Sequence, residues 1–162
     1  MKKILILLAA AALLLTGCKE SNWMDWKTQN EIWLKNNQTN PLMYKDIPVV
    51  KTESGLQYQI VTAGNNTDAK PNGSSTVYVD YKGWLINGYK FDSSDYTMLN
   101  LSQTVAGFTE GVKKLYPGGD IVLYIPWDLA YKEEGSGVEG NSGFIPPYST
   151  LVFEIHLCAV AN

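Results

Sequence analysis

Residues 77–91 read VYVDYKGWLINGYKF, and this stretch predicts a long β-hairpin. The dipeptide Asn87-Gly88 supplies two residues that tolerate the positive φ angles of a tight hairpin turn, and strand residues resume at 89–91. Before the turn, apolar and polar residues alternate, as in an antiparallel sheet with one buried face. The residues on the predicted buried face are Val77, Val79, Tyr81, Gly83 and Leu85.

The rest of the C-terminal part extends this sheet. Short strand-like runs occur at 56–62, 120–125 and 150–160, separated by turn residues. A brief helix is predicted at 109–115, where Pro117-Gly118-Gly119 ends it. We therefore predict an α+β domain over residues 55–162, with a mostly antiparallel sheet and one short helix on its buried face.

An N-terminal arm over residues 18–54 precedes this domain. Within it, a short amphipathic helix that ends before Pro41 is predicted by residues that recur at helical spacing: Trp23, Trp26, Asn30, Trp33 and Leu34. Residues 38–54 form a connecting segment with little periodicity, in which 47–50 is a candidate edge strand. The tryptophan stripe either docks on the globular domain or pairs two copies of the chain, and docking is the simpler interpretation.

The first 17 residues are typical of an export signal. Lys2 and Lys3 precede an apolar run of 12 residues, whereas a membrane-spanning helix needs about 20. The run ends at 15–18 with Leu-Thr-Gly-Cys, which resembles the lipobox of bacterial lipoproteins. We expect cleavage before Cys18 and a lipid on its sulfur; an ordinary signal peptide is the alternative.

Charge and composition exclude several functions. The formal net charge is −3, and without residues 1–17 it is 11 lysines minus 16 acidic residues, or −5. The chain has no arginine and no basic cluster, which argues against nucleic-acid binding. His156 is the only histidine, so metal-ligand spacing and a cysteine–histidine pair are absent, and we expect no cofactor. Cys158 lies in an apolar strand-like run and is expected to pack as a small buried side chain.

Several motifs in a fixed order carry a family resemblance. They are residues 79–83 (VDYKG), 87–88 (NG), 91–94 (FDSS), 107–111 (GFTEG), 125–126 (IP), 128–131 (DLAY), 144–147 (FIPP) and 150–154 (TLVFE). Together they cover roughly two thirds of the chain and resemble the FKBP family of peptidyl-prolyl cis-trans isomerases. The resemblance implies a twisted antiparallel sheet wrapped around one short helix, with an aromatic pocket between them.

The resemblance also assigns the pocket residues. Phe108 is the implied floor, in a position where the family usually has tryptophan, and the Tyr131 hydroxyl and the Ile145 amide are implied donors to a peptide carbonyl. Each residue also has a structural interpretation: Tyr81 and Phe153 suit a strand core, Asp92 a turn and Tyr131 a surface loop. The implied catalytic residues are Tyr81, Phe91, Asp92, Phe108 and Tyr131, and the implied substrate-binding residues are Gln103, Thr104, Val105, Phe144, Ile145 and Phe153.

The implied function is isomerisation of bonds before proline during the folding of exported or envelope proteins. The implied partners are proline-containing polypeptides, a macrolide ligand and, through the lipid on Cys18, the outer membrane on its periplasmic or surface side. Three departures point to reduced activity: Phe108 itself, a short 95–100 segment in a chain without an arginine to pair with Asp92, and a long 132–143 loop. The alternative is an FKBP-like module that binds proline-containing segments, as a chaperone does, without turnover.

Overall fold

One antiparallel sheet of six strands is the frame of the protein, which the computed structural model describes over residues 23–161. The signal segment and Cys18 lie outside those residues. The spatial order of the strands is β1-β2-β5-β6-β3-β4, so β4 and β1 are the two edges. The strands are β1 (Val50–Lys51), β2 (Gln57–Thr62), β3 (Thr76–Leu85), β4 (Lys90–Asn100), β5 (Gly119–Ile125) and β6 (Leu151–Ala161); the helices are α1 (Trp23–Asn37) and α2 (Ala106–Val112).

The predicted hairpin is present as β3 and β4. Gly88 has φ +84°, and the Asn87 side chain accepts a hydrogen bond from the Tyr89 amide at 3.0 Å, which closes the turn. Residues 95–100, which we predicted as a short connection, instead form the second half of β4. A bulge interrupts the pairing there, and the Asp80 carboxylate stabilises it by accepting the Tyr96 amide at 2.6 Å.

Helix α2 covers the inner face of the sheet, and it begins three residues before the predicted start at 109. A β-carbon on Gly107 would lie 2.3 Å from Ile125, and one on Gly111 would lie 2.3 Å from Leu123. Glycine disfavours helix by about 1 kcal/mol relative to alanine, so the sequence alone placed the helix later. Contact with β5 requires glycine at both positions.

The inner core fills the space between α2 and the sheet. Its members are almost completely buried apolar side chains that alternate along the strands with outward-facing residues. They include Leu56, Val77, Val79, Leu101, Phe108, Val112, Leu115, Ile121, Leu123, Ile125, Leu151, Phe153, Ile155 and Leu157.

The outer face of the sheet is also covered, which differs from the expectation of one helix on one buried face. Helix α1 and the arm pack there against a second cluster of Val122, Tyr124 and Val152. The rings of Trp33 and Tyr124 lie 5.9 Å apart, centroid to centroid. Helix α1 therefore packs on the sheet of its own domain.

Two further observations complete the fold. No helix within residues 23–161 is long and apolar enough to span a membrane. We expected Cys158 to be buried, but it is half-buried, since it lies near the end of β6. Its sulfur contacts the His156 carbonyl at 3.9 Å.

Candidate active site

Four aromatic rings from three strands and α2 meet on the inner face of the sheet. The Phe153 ring is central, with centroid distances of 5.4 Å to Phe108, 5.5 Å to Phe91 and 6.1 Å to Tyr81. Its contacts with Phe108 and Phe91 are edge-to-face, which is a favourable geometry for aromatic pairs. Phe108 and Phe153 are 4% and 6% exposed, whereas Tyr81 and Phe91 are half-buried, so the group has a buried floor and an open rim.

A glycine in β3 makes this arrangement possible. Gly83 lies opposite Phe153 in one direction and opposite Asp92 in the other. A β-carbon at this position would lie 2.6 Å from the Phe91 ring and 2.9 Å from the Phe153 ring. The two rings therefore occupy space that any other residue at position 83 would fill.

The Asp92 carboxylate is held by two donors, although the chain has no arginine. The Tyr81 hydroxyl donates to it at 2.6 Å, and the Ser93 amide donates at 2.8 Å. Burial, this hydrogen bond and the charge of Asp92 together raise the pKa of Tyr81 well above its ordinary value. Tyr81 is therefore a neutral donor whose hydroxyl is already engaged.

Tyr131 lies near the same carboxylate, at the other side of the rim. Burial, with a smaller contribution from the Asp92 charge, raises the pKa of its phenol. Tyr131 is 38% exposed, and its hydroxyl has no hydrogen-bond partner in the part of the chain that the structure describes. It is therefore a protonated donor available to a ligand.

The predicted main-chain donor needs a correction. The Ile145 amide donates to the Ser136 carbonyl at 2.8 Å, and the Ser136 amide returns the bond to Ile145 at 2.8 Å. The Ile145 side chain is 3% exposed and belongs to the inner core, so it can form a wall but its amide is not free. Sequence analysis missed this bridge because no residue type encodes a bond between two main-chain groups.

A different amide is available. Val105 precedes α2 in an extended conformation, and its side chain packs against the inner core. Its carbonyl accepts the amides of Phe108 and Thr109, but its own amide has no partner within residues 23–161. The Val105 amide is therefore available to a ligand, whereas the Ile145 amide is not.

Three predicted binding residues lie outside the ring group. The Thr104 hydroxyl is engaged with the Leu101 carbonyl at 3.0 Å and with the Thr109 hydroxyl at 2.8 Å, so it stabilises the start of α2. Gln103 is exposed at the end of a 3-10 turn. The Phe144 ring packs 6.2 Å from Trp23 of α1, at the outer side of the wall.

The long 132–143 loop is tied down beside the rim. The Tyr89 hydroxyl, in the β3–β4 turn, accepts a hydrogen bond from the Gly143 amide at 3.1 Å. The Gly135 amide donates to the Tyr131 carbonyl at 3.0 Å. Together with the Ser136–Ile145 bridge, these contacts place the loop along one side of the cleft. Such a loop restricts the directions from which a peptide can enter.

A concavity of about 320 Å³ lies mainly on the outer face and borders Tyr81. Its polar lining includes Asp80, Asp120 and His156, and the His156 ring nitrogen lies 2.8 Å from Asp120. The described residues contain no group of three or more acidic, histidine or cysteine side chains suited to hold a metal.

Comparison with known proteins agrees with this geometry. A model of the family described as FKBP-type peptidyl-prolyl cis-trans isomerase matches residues 67–158. The probable isomerase FkpA of Neisseria meningitidis is 40% identical over 138 residues, which are 83% of this chain and 46% of that protein. The outer membrane protein MIP of Legionella longbeachae is 37% identical over 138 residues, which are 83% of this chain and 54% of that protein.

A solved structure shows the same fold. A peptidyl-prolyl cis-trans isomerase of Pseudomonas syringae, determined at 1.6 Å, superposes with a TM-score of 0.73 at 27% identity. The match covers 88% of this chain and 98% of that one. By contrast, the chain spans about half the length of the curated relatives it matches.

Proposed function

Because the chain belongs to the FKBP-type peptidyl-prolyl cis-trans isomerase family, we propose that it catalyses rotation about the peptide bond before proline. The observation that carries the proposal is the meeting of four aromatic rings beside the Tyr131 hydroxyl, which has no hydrogen-bond partner within residues 23–161. In this proposal, Phe108 supports the proline ring, and Phe91, Phe153 and Tyr81 surround it.

This reaction needs no acid, base or nucleophile. The barrier to rotation is about 18–20 kcal/mol, because the twisted amide loses its resonance. The planar amide is more polar than the twisted one, so a dry aromatic cleft lowers the barrier by favouring the twisted state. The buried rings of Phe108 and Phe153 provide that environment.

Two donors add differential stabilisation. We assign the Tyr131 hydroxyl and the Val105 amide to carbonyls of the peptide, since both are unpartnered within residues 23–161. The hydrogen bond from the Tyr81 hydroxyl to the Asp92 carboxylate fixes one side of the rim. An acceleration of about a thousandfold requires only about 4 kcal/mol, which a buried ring and two hydrogen bonds can supply.

The substrates in this proposal are proline-containing segments of exported or envelope proteins. A relative is named an outer membrane protein, and the N-terminal segment of this chain has the pattern of a lipoprotein signal. We extend the proposal to a lipid on Cys18 that holds the domain at the envelope membrane, with the pocket free to meet unfolded chains. The same pocket is proposed to take a macrolide ligand.

Exchange NMR on a short proline peptide tests the proposal. Substoichiometric protein should accelerate cis–trans exchange of the peptide, and Tyr131→Phe should lower the acceleration about tenfold, since one charge-neutral hydrogen bond is lost. Shifted peptide resonances without faster exchange would indicate the binding module instead. Neither shifts nor faster exchange would rule out both functions.

A further inference from the structure

Helix α1 contacts both chain segments that carry the outer walls of the cleft. The first wall segment, residues 126–131, ends at Tyr131; the second wall segment, residues 144–150, contains Phe144 and Ile145. Neither wall segment is part of a named strand. Their positions therefore depend on local main-chain bonds, such as those between Ile145 and Ser136, and on side-chain contacts, several of which α1 supplies.

Trp26 forms a hydrogen bond to the second wall segment. Its indole N–H donates to the Ser149 hydroxyl at 2.9 Å, and that hydroxyl donates to the Pro146 carbonyl at 2.7 Å. Pro146 directly follows Ile145, whose side chain packs in the same core cluster as Phe108 and Phe153. Trp26 itself packs against this cluster, and Ser149 is only 3% exposed.

Asn30 holds the end of the same segment. Its side-chain carbonyl accepts the Thr150 amide at 2.7 Å, and its side-chain amide donates to the Trp26 carbonyl at 2.8 Å. Asn30 is completely buried. A buried asparagine within a helix is unfavourable unless its polar atoms are bonded, so its two bonds fix both its rotamer and the strand start.

Lys27 and two aromatic rings connect α1 to the first wall segment. The Lys27 ammonium lies 4.9 Å from the Trp127 ring centroid and 5.1 Å from that of Tyr148, and the two rings meet edge-to-face at 5.2 Å. The amide of Lys132, next to Tyr131, donates to the Trp127 carbonyl at 2.9 Å. The Lys132 carbonyl accepts the Tyr148 amide at 2.8 Å, which joins the two wall segments.

We propose that α1 is a positioning element of the isomerase, and that the Trp26–Ser149 contact holds the Ile145 wall at the distance a proline ring needs. This inference rests on the proposed function. Trp26 does not touch substrate in this proposal; it acts through Ser149 and Pro146. Its loss should weaken peptide binding, seen as a higher KM, more than it slows the bound reaction.

The test compares two identical substitutions on one helix. Trp26→Phe keeps a ring but removes the donor to Ser149, whereas Trp33→Phe alters a ring that packs on Tyr124, in the outer cluster. Both variants are measured in the full chain, at a temperature where circular dichroism shows each to be folded. We expect Trp26→Phe to raise KM about three- to tenfold with kcat within about twofold, and Trp33→Phe to leave both within about 1.5-fold.

A second pair of variants separates the hydrogen bond from packing. Ser149→Ala should reproduce the rise in KM and add nothing to Trp26→Phe, while Ser149→Thr, which keeps a hydroxyl, should restore the original KM. If Trp26→Phe and Trp33→Phe change KM equally, or neither changes it, the positioning role is overturned while the isomerase stands. If the unchanged protein shows neither turnover nor peptide binding, the proposed function fails, and the positioning role fails with it.

Discussion

Gly83 shows how one residue sets the shape of the cleft. Its α-carbon faces the edges of Phe91 and Phe153, so that the two rings meet above the backbone of β3. A sheet normally places a side chain at every second position of its buried face. The two rings occupy the space that a side chain at position 83 would fill.

We expect Gly83→Ala to lower the free energy of unfolding by about 1–3 kcal/mol and to reduce turnover at least tenfold, because both rings must move. Denaturant unfolding and exchange NMR measure the two effects. Gly73→Ala is the matched control, since a β-carbon there has no atom within 4 Å. Equal effects at both positions would contradict the steric explanation.

The Tyr131 donor should make the proposed reaction insensitive to pH below the range in which tyrosine titrates. Burial raises the pKa of its phenol, so the donor stays protonated above the ordinary tyrosine value of about 10. We expect kcat/KM for a peptide without titratable groups to stay within about twofold from pH 6 to pH 9, measured by exchange NMR. A bell-shaped profile in that range would show that a titrating group takes part in the rate-limiting step.

At the scale of elements, α2 shows a conflict between local preference and packing. Alanine at position 107 favours helix by about 1 kcal/mol over glycine, but its β-carbon would lie 2.3 Å from Ile125, a branched and fully buried side chain. We expect the clash to dominate, so that Gly107→Ala lowers stability by about 1–3 kcal/mol and displaces Phe108. Gln29→Ala, at an exposed position of α1, should change stability by less than about 0.5 kcal/mol in the same denaturant titration.

The elements differ in how well the sequence predicts them. The alternation in β3 and the Asn87-Gly88 turn follow from side-chain chemistry, and both are confirmed. The second half of β4 is an edge with a bulge and mixed exposure, so it has no alternation to detect. Helix α2 was predicted three residues late because its glycines are selected by contact with β5, which is distant in sequence.

The same distinction applies to the candidate site. The aromatic residues Phe91, Phe108 and Phe153 could be predicted, since the family motifs contain them. The structure brings their rings together. The state of main-chain donors could not be predicted, because it depends on the path of the 132–143 loop. That path engages the Ile145 amide, whereas the Val105 amide, which precedes α2, has no partner within residues 23–161.

At the scale of the whole molecule, the outer layer is held by buried polar groups. The Tyr124 hydroxyl donates to the side-chain oxygen of Gln59 at 2.6 Å, and the side-chain amide of Gln59 donates to the main-chain carbonyl of Tyr44 at 2.9 Å. Asn37 donates to Gln57 at 3.2 Å in the same layer. Buried polar groups are costly unless bonded, so these contacts specify where α1 and the arm lie on the sheet.

Tyr124 makes this layer sensitive to alkali. Burial raises the pKa of Tyr124 to about 12 in the folded chain, whereas an unfolded tyrosine has a value near 10. The folded state therefore keeps the proton more tightly, so this contribution to stability is complete below pH 10 and is lost as the pH rises toward 12. The loss is on the order of 2 kcal/mol.

We expect Tyr124→Phe to cost about 1–2 kcal/mol at pH 7, because Gln59 loses its donor, but to show a shallower decline from pH 10 to 12 in urea titrations. Tyr96→Phe, at an exposed ring, should retain the full decline; equal slopes for the two variants would assign the alkaline loss to other groups.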